Sequence, residues 1–176
     1  MQHLEELTVV WRSAILPPEY RPRGPLVEVH LVPAAPARHG TPELERIRDE
    51  LAADFTRAGS SAGGAWAFST AEDRGLAVLS TGQRTCWFPF EDDDLAVRVA
   101  ARLTALLDIA LPLPDSLATA IGLDPVAATT KVAGRSVSGS GRIRIGTEEA
   151  LSPGELRRTS REIAEGLVTR LAAPLG

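Results

Sequence analysis

The stretch from Gly63 to Pro89 limits the possible folds of this chain more than any other. Three short runs rich in apolar and aromatic residues are separated there by two polar breaks, each of which contains a glycine. Runs and breaks of these lengths are typical of consecutive antiparallel strands. The runs include Trp66, Phe68 and Trp87, and aromatic side chains contribute a large part of the burial energy of a core. The sequence therefore predicts an antiparallel meander against which the helices of the chain pack.

The length and composition indicate one globular domain. The chain has 176 residues, of which 44% are hydrophobic and 24% are charged, and these values are ordinary for a single domain. Cys86 is the only cysteine, so an internal disulfide and a zinc site with two thiolates are both excluded. We predict one α+β domain over residues 1–176, in which an N-terminal element at 1–16 is joined to the body by a proline-rich linker at 17–25.

The charge balance argues against nucleic acid as a partner, and the lack of a long apolar run argues against a membrane. The formal net charge is −4, whereas general nucleic-acid binding needs clustered positive charge. Lys131 is the one lysine among 19 basic residues, a bias that indicates a high-GC bacterial genome. The N-terminus lacks the basic and apolar regions of a secretion signal, and no run of about 20 apolar residues occurs. We therefore expect a cytoplasmic protein.

The remaining elements follow from apolar periodicity and from proline and glycine breaks. We predict a strand at 26–32, followed by helices from Thr41 to Gly59, from Leu95 to Ala110 and from Asp115 to Ile121. Two strands at 129–137 and 142–146 are then joined by a glycine-rich turn. The last helix begins with a capping box of Ser152 and Glu155. The predicted fold is a mainly antiparallel sheet of about five or six strands, with three or four helices packed mostly on one face.

The N-terminal element carries an apolar stripe formed by Leu4, Leu7, Trp11 and Ile15. Their spacing is helical, although the β-branched run before Trp11 favours a strand, and we prefer the helix. The stripe has two alternative roles. It either docks on the protein's own sheet or binds a second protein as a helix in a groove, and these four residues are then the partner-binding site.

Three features could carry chemistry, and each has a simpler interpretation. Glu28 and His30 share one face of the strand at 26–32 and could transfer a proton, but the same pattern is typical of the solvated side of an edge strand. Cys86 lacks an assignable base, so we predict a core residue rather than a nucleophile. The acidic run from Glu91 to Asp94 could bind Mg²⁺ or Ca²⁺, but we expect it to lie at a helix N-terminus, where negative charge is favoured.

The glycine-rich turn at Ser138 to Gly141 lacks the lysine of a phosphate-binding loop and the third glycine of a dinucleotide fingerprint. With no cofactor expected and no catalytic constellation, we predict a non-catalytic protein-binding or adaptor subunit of a bacterial cytoplasmic assembly, which contacts another protein or itself. The alternative is a small-molecule-sensing regulatory domain with an apolar pocket between the sheet and the helix at 95–110, lined by Trp66, Phe68 and Trp87. An enzyme that uses Glu28 and His30 or Cys86 ranks last.

Overall fold

The computed structural model describes residues 8–16, 24–35, 38–51, 57–60, 66–71, 73–126, 131–132, 135–136, 141–146 and 149–172. The helices in these ranges are α1 (Arg12–Ile15), α2 (Thr41–Leu51), α3 (Leu95–Leu107), α4 (Pro153–Arg158) and α5 (Ser160–Ala172). The strands are β1 (Leu26–Pro33), β2 (Arg57–Ser60), β3 (Trp66–Ala71), β4 (Arg74–Leu79), β5 (Arg84–Pro89), β6 (Leu117–Val126), β7 (Lys131–Val132), β8 (Arg135–Ser136) and β9 (Gly141–Ile145).

Seven strands form one sheet in the order β2-β3-β4-β5-β1-β6-β9, and every neighbouring pair is antiparallel. The strands β7 and β8 form a separate two-stranded ribbon. The α+β class and the meander of β3, β4 and β5 are therefore confirmed, although the sheet is larger than the five or six strands predicted. The strand β1 lies in the middle of the sheet because it pairs with β5 on one side and β6 on the other.

One face of the sheet, here called the helix face, is covered by helices. Alternate residues of a strand point to the same face, and the helix face is formed by Val27, Val29 and Leu31 of β1 together with Cys86 and Phe88 of β5. The helices α3 and α5 pack on it and supply the other large apolar side chains of this core, which include Leu95, Val99, Leu103, Leu106, Leu167 and Leu171. Helix α2 packs beside them, with Leu44 and Ile47 against Val78. The prediction of helices mostly on one face is thus confirmed.

The opposite face, here called the segment face, carries the intervening residues, among them Glu28, His30, Thr85 and Trp87. Residues 8–16, here called the N-terminal segment, lie on this face. The segment contains the single helical turn α1, and Ile15 and Leu16 are buried against Leu26, Phe68, Ala77, Leu79 and Trp87. The predicted long N-terminal helix is therefore wrong for residues 8–11, which precede α1 without forming a helix.

One predicted helix is a strand, and the end of another lies in a strand. The helix predicted for Asp115 to Ile121 is wrong, because Leu117, Ile121 and Leu123 alternate into the helix face as part of β6. The helix that begins at Thr41 ends at Leu51, and Gly59, predicted as its stop, lies in β2. In both places pairing within the sheet outweighs local helix propensity, which amounts to less than about 1 kcal/mol per residue.

In the C-terminal third of the chain, the strand pairing differs from the prediction. The strand β9 pairs with β6 instead of forming a hairpin with the preceding strand, and the turn at 138–140 lies outside the described residues. The capping box is confirmed at its serine, since Ser152 Oγ accepts a hydrogen bond from the backbone N–H of Glu155. The helix that follows is divided at Thr159 into α4 and α5.

Candidate functional site

A cluster of polar side chains lies buried at the centre of the segment face. Glu28 and His30 of β1, Thr85 of β5 and Gln83, which directly precedes β5, are all no more than 1% exposed. The interpretation of Glu28 and His30 as the solvated side of an edge strand is therefore wrong. It fails because β1 has a neighbour on both sides and because the N-terminal segment covers this face.

Hydrogen bonds determine the orientation of each group in this cluster. The backbone N–H of Val10 donates to Gln83 Oε1 at 3.0 Å, which identifies Gln83 Nε2 as the donor to the Val10 carbonyl at 2.7 Å. Gln83 Nε2 also donates to Thr85 Oγ1 at 2.9 Å and lies 3.2 Å from His30 Nδ1. An amide nitrogen carries two hydrogens, and the Val10 carbonyl and Thr85 Oγ1 are its two nearer acceptors. The Thr85 hydroxyl and His30 Nδ1 are hydrogen-bonded to each other at 2.8 Å.

The second nitrogen of the His30 ring, Nε2, lies 3.3 Å from Glu28 Oε1. The same carboxylate oxygen accepts the backbone N–H of Arg12 at 2.7 Å, and the Arg12 guanidinium Nε is 4.0 Å from the other oxygen. Burial by itself would raise the pKa of Glu28, but the side chain of His30 and the backbone N–H and charge of Arg12 outweigh it and lower the pKa below 4.5. Glu28 is therefore ionised at neutral pH.

The order carboxylate, imidazole, hydroxyl in Glu28, His30 and Thr85 could in principle carry a proton from Thr85 to Glu28. All three groups are inaccessible, however, because the N-terminal segment lies over them. A substrate could reach the hydroxyl only after the segment had left. In the observed arrangement the cluster binds the chain's own N-terminal segment.

Trp11 is the central side chain of the bound segment. Its ring and the His30 ring form a T-shaped pair with 4.8 Å between centroids, and the guanidinium carbon of Arg144 in β9 lies over the Trp11 ring, 4.9 Å from the centroid. Arg144 also donates to the Ser13 hydroxyl at 3.1 Å. The floor under the indole is Gly122 of β6, where a Cβ would approach Trp11 Cζ3 to 2.9 Å. This glycine therefore provides the space that the indole occupies.

The predicted partner-binding stripe is divided by these observations. Trp11 is half-buried against the sheet and Ile15 is buried, as the docked alternative predicts. Leu4 and Leu7 lie outside the described residues. Within the described part of the chain, the stripe thus contacts the protein's own segment face.

The predicted pocket residues Trp66, Phe68 and Trp87 lie on the segment face, where Phe68 and Trp87 pack with Ile15. Helix α3 packs on the opposite face. A pocket between the sheet and this helix that is lined by these three residues is therefore wrong. The reason is the alternation of β5, in which Cys86 and Phe88 face α3 and Trp87 faces away.

The other candidate residues, Cys86 and the run from Glu91 to Asp94, have structural rather than chemical roles. Cys86 is buried in the core under α3, and burial raises the pKa of its thiol to about 12, so no thiolate is available at neutral pH. The run from Glu91 to Asp94 is exposed and directly precedes α3. Its carboxylates lie at the helix N-terminus as predicted, although Asp94 makes no side-chain cap. In the described part of the chain, no group of three or more acidic, histidine or cysteine residues could hold a metal ion.

Arg84 is a second buried polar group that sequence reasoning missed. It lies on the helix face with 0% exposure, and its guanidinium donates to the carbonyl oxygens of Leu106, Ile109 and Leu111 at 2.6 to 3.0 Å. These carbonyls end α3 and begin the loop after it, where the helix dipole favours a cation. Burial lowers the pKa of Arg84 to about 10, with a smaller contribution from Arg157, so the side chain stays charged at neutral pH.

Comparison of the chain with protein-family models, with curated proteins and with solved structures finds no match. Among the described residues, no helix has both the length and the apolar character that crossing a membrane requires.

Proposed function

We propose that this chain is a non-catalytic protein-binding subunit of a bacterial cytoplasmic assembly, and that its segment face is the surface that receives a peptide segment of the partner. One observation carries the proposal. The Gln83 amide makes both main-chain hydrogen bonds of Val10, at 3.0 and 2.7 Å. Main-chain hydrogen bonds of this kind supply affinity for an extended segment of any sequence, while pockets for its side chains supply specificity.

Two pockets give the segment face its specificity. The first accepts an aromatic ring between His30, Gly122 and Arg144, and Trp11 fills it. The second is the apolar cluster around Phe68 and Trp87, which Ile15 fills. We therefore expect the partner segment to carry an aromatic residue followed four residues later by an aliphatic one.

The rest of the described surface supports this location. Its exposed large apolar side chains are Val97 and Leu113, and they do not form the continuous apolar patch that marks many protein interfaces. The segment face, by contrast, buries two apolar residues and three backbone polar groups of an occupant. The chain's own N-terminal segment is that occupant here, and a partner segment binds by displacing it.

The test uses a fluorescent peptide with the sequence of residues 8–16 and the full chain with the double substitution Trp11→Ala and Ile15→Ala. Because the two substitutions weaken the docking of the N-terminal segment, they expose the site, and the peptide is expected to bind this variant saturably. Binding to the wild-type chain should be weaker by about tenfold or more, because the resident segment competes and only the open fraction is available. Fluorescence anisotropy measures both affinities, and circular dichroism verifies that the variant is folded.

The control peptide carries an N-methyl group at Val10, which removes the N–H that Gln83 accepts. Losing this partly buried hydrogen bond should weaken binding of the peptide by about fivefold or more. In the protein, Arg144→Gln should weaken the peptide by about two- to fivefold through the lost contact with Trp11, whereas Arg142→Gln on the same strand should leave the affinity unchanged. Equal affinity for the methylated and unmethylated peptides would contradict the proposal.

A further inference from the structure

A cleft of about 330 Å³ opens on the helix face, where the ends of β4 and β5 meet α3. Three arginines from two elements line it, Arg74 at the start of β4 and Arg98 and Arg102 one turn apart on α3. The remaining lining residues are Phe88, Pro89, Glu91 and Ala101. A cleft with three guanidinium groups and one carboxylate is strongly positive, although the chain as a whole is acidic.

Two of these arginines are held in place by their neighbours. Arg98 donates a hydrogen bond to Glu91, and the bond and charge of Arg98, with a smaller effect of Arg74, lower the pKa of the Glu91 carboxyl. Arg102 lies over the ring of Phe88, with its guanidinium carbon 5.5 Å from the ring centroid. The Phe88 ring itself is buried in the core. The cleft thus combines these positive groups with the apolar side chains of Phe88, Pro89 and Ala101.

We propose that this cleft binds a small organic dianion, a phosphate monoester or a dicarboxylate, held by Arg74, Arg98 and Arg102. The planar fork of a guanidinium matches the oxygen pairs of both kinds of anion. The volume lies at the lower end of the range of small-molecule sites. In the absence of ligand the Glu91 carboxylate is paired with Arg98, and the ligand displaces this carboxylate.

The surroundings favour a compact ligand over a nucleic acid or a membrane. Asp92, Asp93 and Asp94 directly follow Glu91 of the cleft in sequence, and all three are exposed. Their negative charges repel a long polyanion or an anionic bilayer that extends beyond the cleft. A small anion that fits inside the cleft can contact the three arginines without extending beyond it. The cleft lies on the face opposite to the N-terminal segment, so this inference is independent of the proposed peptide site.

Isothermal titration of the full chain with phenyl phosphate, with succinate and with the monoanion benzoate tests the inference. At least one dianion should bind saturably at one site per chain, more tightly than benzoate and more weakly as the salt concentration rises. Phenyl phosphate and succinate separate the two sources of negative charge. Absence of saturable binding for both would overturn the inference.

Three substitutions test the location. Arg102→Gln should weaken binding by about tenfold or more, since it removes a charge-assisted hydrogen bond. Glu91→Gln should tighten binding, because it removes the carboxylate that competes for Arg98. Arg158→Gln, an exposed position on α4, is the matched control for loss of one positive charge and should leave the affinity unchanged.

The opposite directions expected for Arg102→Gln and Glu91→Gln make the result decisive. If Arg158→Gln weakens binding as much as Arg102→Gln does, the effect is one of diffuse charge and the inference is wrong. If Glu91→Gln leaves the affinity unchanged or lowers it, the displacement at Arg98 is wrong. Arg98→Gln replaces Arg102→Gln if circular dichroism shows that the latter is unfolded.

Discussion

The substitution Gly122→Ala probes the contact between the N-terminal segment and the sheet through a single carbon atom. The added Cβ would lie 2.9 Å from Trp11 Cζ3 and 3.3 Å from Trp11 Cε3, whereas carbon atoms in contact are normally about 3.5–4.0 Å apart. The indole must therefore shift by roughly 0.6–1 Å, enough to forfeit a quarter to a half of its dispersion contacts on that side. Such overpacking costs about 1–3 kcal/mol.

A second effect acts in the opposite direction. Gly122 has no positive φ, so alanine fits the strand backbone and gains about 0.5–1 kcal/mol relative to glycine. The two effects together predict that Gly122→Ala lowers the free energy of unfolding by about 1 kcal/mol in the wild-type chain. In a Trp11→Ala background the steric cost disappears, and the same substitution should raise the free energy of unfolding by about 0.5–1 kcal/mol.

The assay is urea denaturation followed by far-ultraviolet circular dichroism for the four members of this double-mutant cycle. The expected coupling energy is about 1.5–2 kcal/mol, well above the deviation from additivity of about 0.5 kcal/mol found for distant sites. Gly166→Ala on α5, where a Cβ would meet nothing within 4 Å, is the control and should be equally stabilising in both backgrounds. Equal effects of Gly122→Ala with and without Trp11 would refute the docking of Trp11 on Gly122.

Three further outcomes follow from buried groups. Arg84→Met leaves the carbonyls at the end of α3 without donors and should lower the free energy of unfolding by about 3–5 kcal/mol in urea titrations, with Arg84→Lys closer to the wild type. Because the pKa of Glu28 is lowered in the folded state, its ionised carboxylate stabilises the fold above pH 4.5, and this stabilisation is lost as the pH falls through the folded-state pKa. Glu28→Gln should therefore be less stable than the wild type at pH 7, with a difference that shrinks in acid; a difference independent of pH would contradict this. Cys86 should resist a thiol reagent in native buffer and react in concentrated guanidinium chloride, because burial raises its pKa to about 12; rapid reaction of the native protein would contradict the core position.

The elements predicted correctly are those whose pattern is complete within a few residues. The strand β1 is bounded by prolines, the meander has glycine-containing breaks, α3 has an apolar stripe, and Ser152 lies three residues before Glu155. Each of these signals reports a local preference that the fold retains. The predictions of α+β class and of helices on one face rested on them.

The failures come from interactions that the local pattern does not contain. Residues 117–123 alternate large side chains with small ones, of which Gly122 lies under Trp11, and such a run looks like a short capped helix. Glu28 and His30 look like a solvated face because the groups that cover them, Arg12 and Gln83, lie 16 and 53 residues away in sequence.

The candidate site itself was only partly predictable. Trp11 and Ile15 were identified from their spacing, and Glu28 and His30 from their residue types. Gln83 and Arg84 lie in the polar break between two strands of the meander, and no feature of this two-residue polar step distinguishes a solvated turn from two buried side chains that each make several hydrogen bonds. Only the register of β5 against β1 shows which face each one occupies.

The central position of β1 also constrains how the chain folds during its synthesis on the ribosome. The strand is made first, yet its two neighbours, β5 at residues 84–89 and β6 at residues 117–126, emerge much later. At a synthesis rate of about 5–20 residues per second, roughly 5–20 s pass between the synthesis of β1 and the synthesis of β6, after which both edges of β1 can be paired. During that time Val27, Val29 and Leu31 are exposed on a strand with two open edges, which is an aggregation hazard. We therefore expect the nascent chain to depend on chaperones until β6 has left the exit tunnel.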